Sequence, residues 1–429
     1  MRRLLCACLS LWLPAAAAQE SDSFDVSQFE KKPLELNGYA EFKGEQFTFD
    51  RQAALYQLGF FDQPQRDDSD RGTGSLQLDG LYRRGIATAH VLAFGSYAHD
   101  DTGNDRDSRL YEASVSVQPD SRAAYDFGKK TLSWGKGYAW NPVGFIQRPK
   151  DPNDPELSRE GLVIAGSNFV RSFDGTLKTV ALTPLIVPTT AGLNADFGTS
   201  DHFNPAAKIY FLYADTDIDL MMLGAGAKSA RYGFDFSRNL GTNLELHGEW
   251  ARTASATRPV VDSAGNVVPV EEPATSYLFG LRYLSDSQLT TLFEYYYNGT
   301  GYSEDEMRSF ASVVHNAYDQ YQTTGNAAPL TKLRTALQPT VARPNPGRRY
   351  LYLRLSQSEP FDILYFTPAL TIIANADDRS YSVAPELLYT GITNLELRAR
   401  VFWLHGARLS DFGEKQNMRR LELRARFYF

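Results

Sequence analysis

Near the C-terminus, basic side chains recur at every second position of two short segments. Arg398 and Arg400 alternate in one segment, and Arg424 and Arg426 alternate in the next. If both segments are β-strands, alternate side chains point to one face, and arginines along a water-filled passage would lower the energy of a passing anion. The complete candidate wall consists of Arg282, Arg354, Arg398, Arg400, Arg424 and Arg426.

The same arginines have acidic neighbours that offer a purely structural role. Glu396 and Glu422 lie among them, and the first predicted strand places Glu41, Lys43 and Glu45 on the corresponding face. Pairs of opposite charge on neighbouring strands stabilise a sheet. Anion passage and charge pairing are therefore both open interpretations of the arginine wall.

A second group of charged residues lies in the stretch from Trp134 to Glu160. Glycines near its start permit a sharp turn, and four prolines limit its flexibility. Such a stretch could fold into a pore and select solutes by charge and size, or it could be a rigid surface loop. The candidate constriction residues are Lys136, Arg148, Lys150, Asp151, Asp154, Glu156, Arg159 and Glu160.

Catalytic and metal-binding patterns are weak in this sequence. Asp151, Asp154 and Glu156 carry the oxygen ligands that calcium prefers, but they lack the glycine and the spacing of an EF-hand loop. The six histidines show no metal-site spacing, and we find no nucleophile elbow, phosphate loop or zinc pattern. We expect neither a metal nor a cofactor, and we expect a protein that is not an enzyme.

The N-terminus has the features of a secretory signal peptide. Arg2 and Arg3 precede an apolar run that ends in small residues, which predicts cleavage after Ala18 and export from the cytoplasm. Cleavage would remove both cysteines, Cys6 and Cys8, and would leave 42 basic residues against 51 acidic ones, a net charge of −9. This acidic balance argues against a nucleic-acid partner.

The C-terminal twelve residues predict a strand with one apolar and one charged face. Leu421, Leu423, Ala425, Phe427 and Phe429 alternate with charged or polar residues. The hexapeptide Leu-Glu-Leu-Arg-Ala-Arg occurs at 395–400 and again at 421–426. Two strands that each place lipid on one side and water on the other would account for this repetition.

The same alternation predicts eighteen strands in all, and their connections alternate between short and long. The predicted strands lie near residues 37–49, 74–83, 86–98, 109–118, 122–133, 161–170, 175–186, 205–213, 217–223, 228–237, 242–251, 275–284, 288–297, 349–357, 361–374, 380–389, 393–405 and 418–429. Every long connection (50–73, 134–160, 187–204, 252–274 and 298–348) follows an odd-numbered strand. This order is typical of a barrel with short periplasmic turns, long outside loops and periplasmic termini.

We therefore expect an all-β fold: a single closed antiparallel transmembrane barrel of about 18 strands (16–18), with the third outside loop folded inward. Residues 1–18 would be the signal peptide, 19–36 a periplasmic segment and 37–429 the barrel. Lipid offers no hydrogen-bond partners, so a sheet in the membrane must close and leave no edge. A barrel this wide encloses an aqueous lumen.

The terminal strand, the leader and the order of the connections resemble those of Gram-negative outer-membrane porins. The resemblance extends over nearly the whole mature chain, to substrate-selective porins and more loosely to alginate-export barrels. It implies a bacterial outer-membrane channel for passive diffusion or export of small or polymeric solutes, with anions among the candidates. It also implies that the assembly machinery recognises Phe427 and Phe429, and that the barrel contacts lipid, lipopolysaccharide and the diffusing solute.

Two other functions are compatible with the same barrel. One is a surface receptor or adhesin that binds through loops 252–274 and 298–348, and the other is an outer-membrane hydrolase. Within the second loop, residues 304–321 have the spacing of a short amphipathic helix, which would cover the pore or pack on its rim. The sequence leaves open whether a periplasmic partner docks below.

Overall fold

The computed structural model describes residues 33–429 except 263–264. The predicted signal peptide and residues 19–32 of the predicted periplasmic segment lie outside this described part. Residues 34–36, which we assigned to that segment, already belong to the first strand.

The described chain forms eighteen strands and three α-helices. The strands are β1 Leu34–Phe49, β2 Asp68–Arg84, β3 Ala87–Asp100, β4 Gly103–Val117, β5 Ala123–Lys130, β6 Leu162–Ser172, β7 Leu177–Thr189, β8 His202–Tyr213, β9 Thr216–Leu223, β10 Arg231–Leu240, β11 Leu244–Val261, β12 Val267–Leu284, β13 Leu289–Tyr297, β14 Arg349–Gln357, β15 Phe366–Asn375, β16 Tyr381–Ile392, β17 Leu395–His405 and β18 Asn417–Tyr428. The helices are α1 Ala54–Phe60, α2 Glu304–Thr324 and α3 Ala328–Val341.

All eighteen strands belong to one closed antiparallel sheet. Each strand pairs with its neighbours in the sequence, and β1 also pairs with β18, so that Tyr39 lies opposite Tyr428 and Glu41 opposite Arg426. The predicted strand count and closure are therefore confirmed. Closure gives the backbone groups of the first and last strands hydrogen-bond partners that lipid cannot supply.

The two faces of the sheet differ in polarity as the alternation predicts. Phe42, Phe279 and Leu423 point outward and are 63%, 57% and 55% exposed, whereas Glu249 and Glu294 point inward and are buried. Large apolar side chains are costly to expose to water and favourable in hydrocarbon. The described residues include no helix that is both long and apolar enough to cross a membrane.

The connections after even-numbered strands form one end of the barrel, which we call the short-connection end. Those after odd-numbered strands form the long-connection end, and they include residues 50–67, 131–161 and 298–348. The predicted loop 252–274 is wrong, because β11 and β12 continue to Val261 and from Val267 and pair along this length. In the same way β3 and β4 extend to Asp100 and from Gly103.

Helices cover part of the long-connection end. Residues 304–321 lie in α2, as predicted, which begins with a Ser303 capping box and continues to Thr324. Its apolar face packs against α3, α1 and the ends of β11, with Phe310, Val314 and Leu330 in the shared core. We refer to this packed unit of α1, α2 and α3 as the helical cap.

Candidate functional site

The connection between β5 and β6, residues 131–161, runs through the inside of the barrel, and we call it the crossing segment. The inward carboxylate of Glu249 on β11 accepts the backbone N–H of Gly137 at 2.6 Å and that of Val143 at 3.2 Å. Asn141 donates to the same carboxylate through its side-chain amide at 3.0 Å. One buried carboxylate therefore holds three groups of the crossing segment.

A second inward carboxylate holds the next residues of the segment. Glu294 on β13 accepts the backbone N–H groups of Tyr138 and Ala139, the latter at 2.9 Å. His247 on β11 contacts the same carboxylate through Nε2 at 3.1 Å. Hydrogen bonds to a charged acceptor are stronger than bonds between neutral groups, so this geometry fixes the turn of the segment.

Apolar side chains attach the segment to two different sectors of the inner wall. Trp134, Phe145 and Ile146 pack against inward residues of β6 to β9, such as Val187 and Leu223. Trp140 packs against the sector from β12 to β15, where its ring lies 5.1 Å from that of Tyr296 and 6.0 Å from that of Tyr350. The first half of the crossing segment thus spans the interior between these sectors.

The second half of the segment reaches the wall formed by β17 and β18. Asp154 contacts Arg424 at 3.1 Å and Arg398 at 3.7 Å, and the backbone carbonyl of Asn153 accepts a hydrogen bond from Arg400 at 2.9 Å. Contacts with three separate sectors of the wall make the segment a bar across the lumen.

The other candidate constriction residues have individual partners. Lys136 forms an ion pair with Asp219 at 3.1 Å, while Arg148 pairs with Asp196 and with Glu160. Burial opposes the charge of Lys136, but Asp219 and Asp235 outweigh burial and raise the pKa of this lysine. These charges therefore stabilise the position of the segment.

Lys150, Arg159 and Glu156 complete the internal contacts of the segment. Lys150 donates to the carbonyls of Gly137 and Tyr138, Arg159 donates to the carbonyl of Arg148, and Tyr138 donates to Glu156. Burial lowers the pKa of Lys150, and the positive charge of Arg159 lowers it further.

The wall arginines on the last strands are largely paired. Arg400 and Arg354 bind Glu386 at 2.6 Å and 2.9 Å, and Arg426 binds Glu41 on β1 at 2.7 Å. Within the described chain, Arg282 is the one member of the candidate wall for which no ion pair within 4.0 Å is found. The contacts thus correspond to the charge-pairing interpretation of this wall.

Similar proteins are found among solved structures but not by comparison of sequences. No family model and no curated protein sequence matches the chain. OccAB1 of Acinetobacter baumannii has a TM-score of 0.51 with 11% identity, over 92% of this chain and 96% of that one. The chain has a porin-type barrel fold.

Two structures from Pseudomonas aeruginosa are also similar at the level of the barrel. OccK2, solved in complex with glucuronate, has a TM-score of 0.49 with 14% identity, over 92% of this chain and 96% of that one. OccK5 has a TM-score of 0.49 with 10% identity, over 92% of this chain and 98% of that one.

In this porin-type barrel, the predicted assembly residues lie beside the closing seam. Phe427 on β18 lies opposite Ala40 on β1, and the backbone groups of Phe429 and Gly38 exchange two hydrogen bonds of 3.0 Å. Both phenylalanine rings are about half exposed on the outer surface.

The three carboxylates that were candidates for binding calcium contact different partners in the structure. Asp154 binds arginines, Glu156 accepts from Tyr138, and Asp151 accepts from the backbone and the side chain of Asn153. Across residues 33–429, with 263–264 set aside, no group of three or more His, Cys, Asp or Glu side chains is arranged to hold a metal ion.

Sequence reasoning missed a polar array on the wall formed by β2 to β4. His90 contacts Asp79 at 2.9 Å through Nε2 and Glu112 at 3.0 Å through Nδ1, and the Asp79 side chain is 41% exposed. The three strands pair so that these side chains share the inner face. Alternation alone could have shown that they face inward, but not that they meet.

Proposed function

We propose that this protein is an outer-membrane channel for the passive diffusion of small solutes. The observation that carries the proposal is the crossing segment, which lies inside a closed barrel and is bound to its wall through Glu249, Glu294 and Asp154. A channel needs a polar interior and a filter of fixed width. The barrel supplies the first and the crossing segment supplies the second.

The position of the segment favours small solutes over polymers. Trp140 and Phe145 pack against two different sectors of the inner wall together with their apolar neighbours, so the free cross-section is smaller than the barrel itself. Solvent-accessible polar side chains such as Asp79 and Lys43 lie on the wall from β1 to β4. We place the path of the solute along this wall.

The proposal includes location and partners. A barrel with an apolar outer belt belongs in the outer membrane, where it would contact lipid and lipopolysaccharide. We propose no catalytic activity, since the inward carboxylates Glu249 and Glu294 hold the crossing segment and most of the wall arginines are paired.

Ion conductance in a planar lipid bilayer tests the channel. Wild-type protein should give discrete conductance steps, and a variant in which residues 138–158 are replaced by a short glycine-serine linker should give larger steps. Replacing residues 308–338 of the helical cap by a similar linker is the control for loop removal as such. A folded wild-type barrel without conductance would contradict the proposal and favour a receptor or an enzyme.

The rate of sugar entry into liposomes measures the filter directly. Wild-type barrels should admit monosaccharides and exclude oligosaccharides, whereas the 138–158 replacement should admit both. Equal rates for both proteins would show that the crossing segment does not set the size limit.

A further inference from the structure

A cavity of about 610 Å³ lies at the long-connection end of the barrel. It is bounded by the connection between β9 and β10, by the parts of β10 to β12 nearest the long-connection end, and by residues 298–302 and 340–346. Its volume suits a small organic molecule.

Cations dominate the charged lining of this cavity. The basic residues are Lys228, Arg231, Arg258 and Arg343, and the acidic one is Glu271, which is exposed and accepts a hydrogen bond from Ser255. Arg258 is already neutralised, because it binds Glu272 at 2.8 Å and Glu306 at 2.9 Å. The other three cations determine the potential of the cavity.

Those three cations, Lys228, Arg231 and Arg343, form no ion pair within 4.0 Å with any residue of the described chain. The Nε–H of Arg231 is inaccessible to solvent and has no hydrogen-bond partner. A buried donor without a partner costs free energy.

Lys228 lies in a low-dielectric position near the positive charge of Arg231. Its Nζ lies 3.9 Å from the centre of the Phe197 ring. Burial, together with the positive charge of Arg231, lowers the pKa of Lys228 to about 8. An anion between the two side chains would relieve their repulsion.

The cavity faces the lumen and not the lipid. Tyr232 and Phe234 on β10 point outward and are 53% and 42% exposed, so Arg231, in the alternate register, lies on the inner face. Arg258 likewise contacts Glu306 of the helical cap. A dissolved molecule therefore has access to these cations, whereas a lipid headgroup in the outer leaflet does not.

We propose that this cavity binds the carboxylate or phosphate group of a small anionic solute before it reaches the crossing segment. The proposal rests on the channel function and names its substrate class. Arg231 and Lys228 supply charge-assisted hydrogen bonds, and Arg343 attracts the anion at the rim.

Block of ionic current by citrate tests the site. Citrate added on the long-connection side should reduce wild-type conductance in a saturable manner. In Lys228→Gln and Arg231→Gln the half-blocking concentration should rise about tenfold or more, which corresponds to about 1.4 kcal/mol. Arg122→Gln, an exposed cation in the turn 118–122 at the short-connection end, is the matched control and should leave block unchanged.

Further variants and a direct binding measurement make the outcome decisive. If Arg231→Gln folds poorly, Arg343→Gln in the exposed loop tests the same cavity. Calorimetric titration of citrate into detergent-purified protein measures binding without transport, so binding without conductance would overturn the channel but keep the site. Conductance with citrate block that is equal in all variants would overturn the site but keep the channel. Loss of co-purified lipopolysaccharide from Lys228→Gln, with citrate block unchanged, would assign the cations to a lipid headgroup instead.

Discussion

The carboxylate of Glu294 accepts the backbone N–H of Ala139 at 2.9 Å, although 155 residues separate them in the sequence. Glu294 is fully buried on β13, and Ala139 lies in the first half of the crossing segment. A charged acceptor on the rigid wall therefore determines where a segment with no regular secondary structure lies. The same arrangement recurs at Glu249, which binds Gly137 and Val143.

Replacement of Glu294 by alanine should release the part of the crossing segment around Ala139. The N–H groups of Tyr138 and Ala139 would lose their acceptor, at about 1–3 kcal/mol for each unsatisfied donor. We expect larger and noisier single-channel conductance, and faster proteolytic cleavage within residues 131–161.

Glu112→Ala is the matched control for this experiment, because Glu112 is also an inward carboxylate but contacts His90. The control should keep wild-type resistance to proteolysis within residues 131–161, because Glu112 does not contact the crossing segment. If Glu294→Ala and the control are cleaved there at the same rate, Glu294 does not fix the segment.

Replacement of Arg400 by glutamine should affect stability more than ion selectivity. Arg400 is buried against Glu386, and removal of one partner leaves a buried charge with fewer contacts. Loss of a buried pair costs about 3–5 kcal/mol, and we expect the lower end because Arg354 also binds Glu386.

Two measurements separate pairing from passage at Arg400. The free energy of unfolding in urea should fall, while the reversal potential in a salt gradient should stay near the wild-type value. A shift of that potential toward cation selectivity with unchanged stability would restore the anion-passage interpretation.

The fold was largely predictable because period-two alternation is a local property of each strand. Leu395–Arg400 and Leu421–Arg426 show it in full, and both lie in strands at the predicted places. The outer parts of β11 and β12 were missed because prolines argue against a strand. In the structure Pro259 and Pro269 lie directly opposite each other. The two residues that lack a backbone N–H therefore share a single pair position between the strands.

The site was less predictable because it depends on contacts between distant residues. The glycines and prolines of residues 134–160 suggested an inward loop, but nothing in that stretch indicates that Glu249 and Glu294 bind its backbone. The cavity beside Lys228 was missed for a related reason. Its cations come from β10, β11 and two connections, and no single segment is strongly basic.

Substitution of Gly38 by valine should impair closure of the barrel. A side chain at this position would begin 2.4 Å from the carbonyl oxygen of Gln77 and 2.8 Å from the ring of Phe429. The seam between β1 and β18 would have to shift, and we expect a reduced yield of folded barrel, measured by circular dichroism and resistance to protease.

Gly74→Val is a suitable control for the loss of glycine in a strand, since open space surrounds that position. Removal of Phe429 should also reduce assembly in cells, because it deletes both the ring and the two backbone hydrogen bonds to Gly38. Normal assembly of both the Gly38 variant and the truncated chain would show that this seam tolerates disruption.

Citrate block should weaken as the pH rises through about 8. Lys228 is charged below its pKa of about 8 and neutral above it, so the cavity loses one positive charge over this interval. Arginine side chains stay protonated over this interval, and the pKa of the nearby carboxylate Asp196 is lowered by its hydrogen bond with Arg148, so the change is assigned to Lys228. Citrate itself keeps its charge from about pH 7 to about pH 9.5, where carboxylic acids are ionised.

The half-blocking concentration should therefore increase in wild type across this range and stay flat in Lys228→Gln, which lacks the titrating amine. A parallel increase in both proteins would assign the pH dependence to another group.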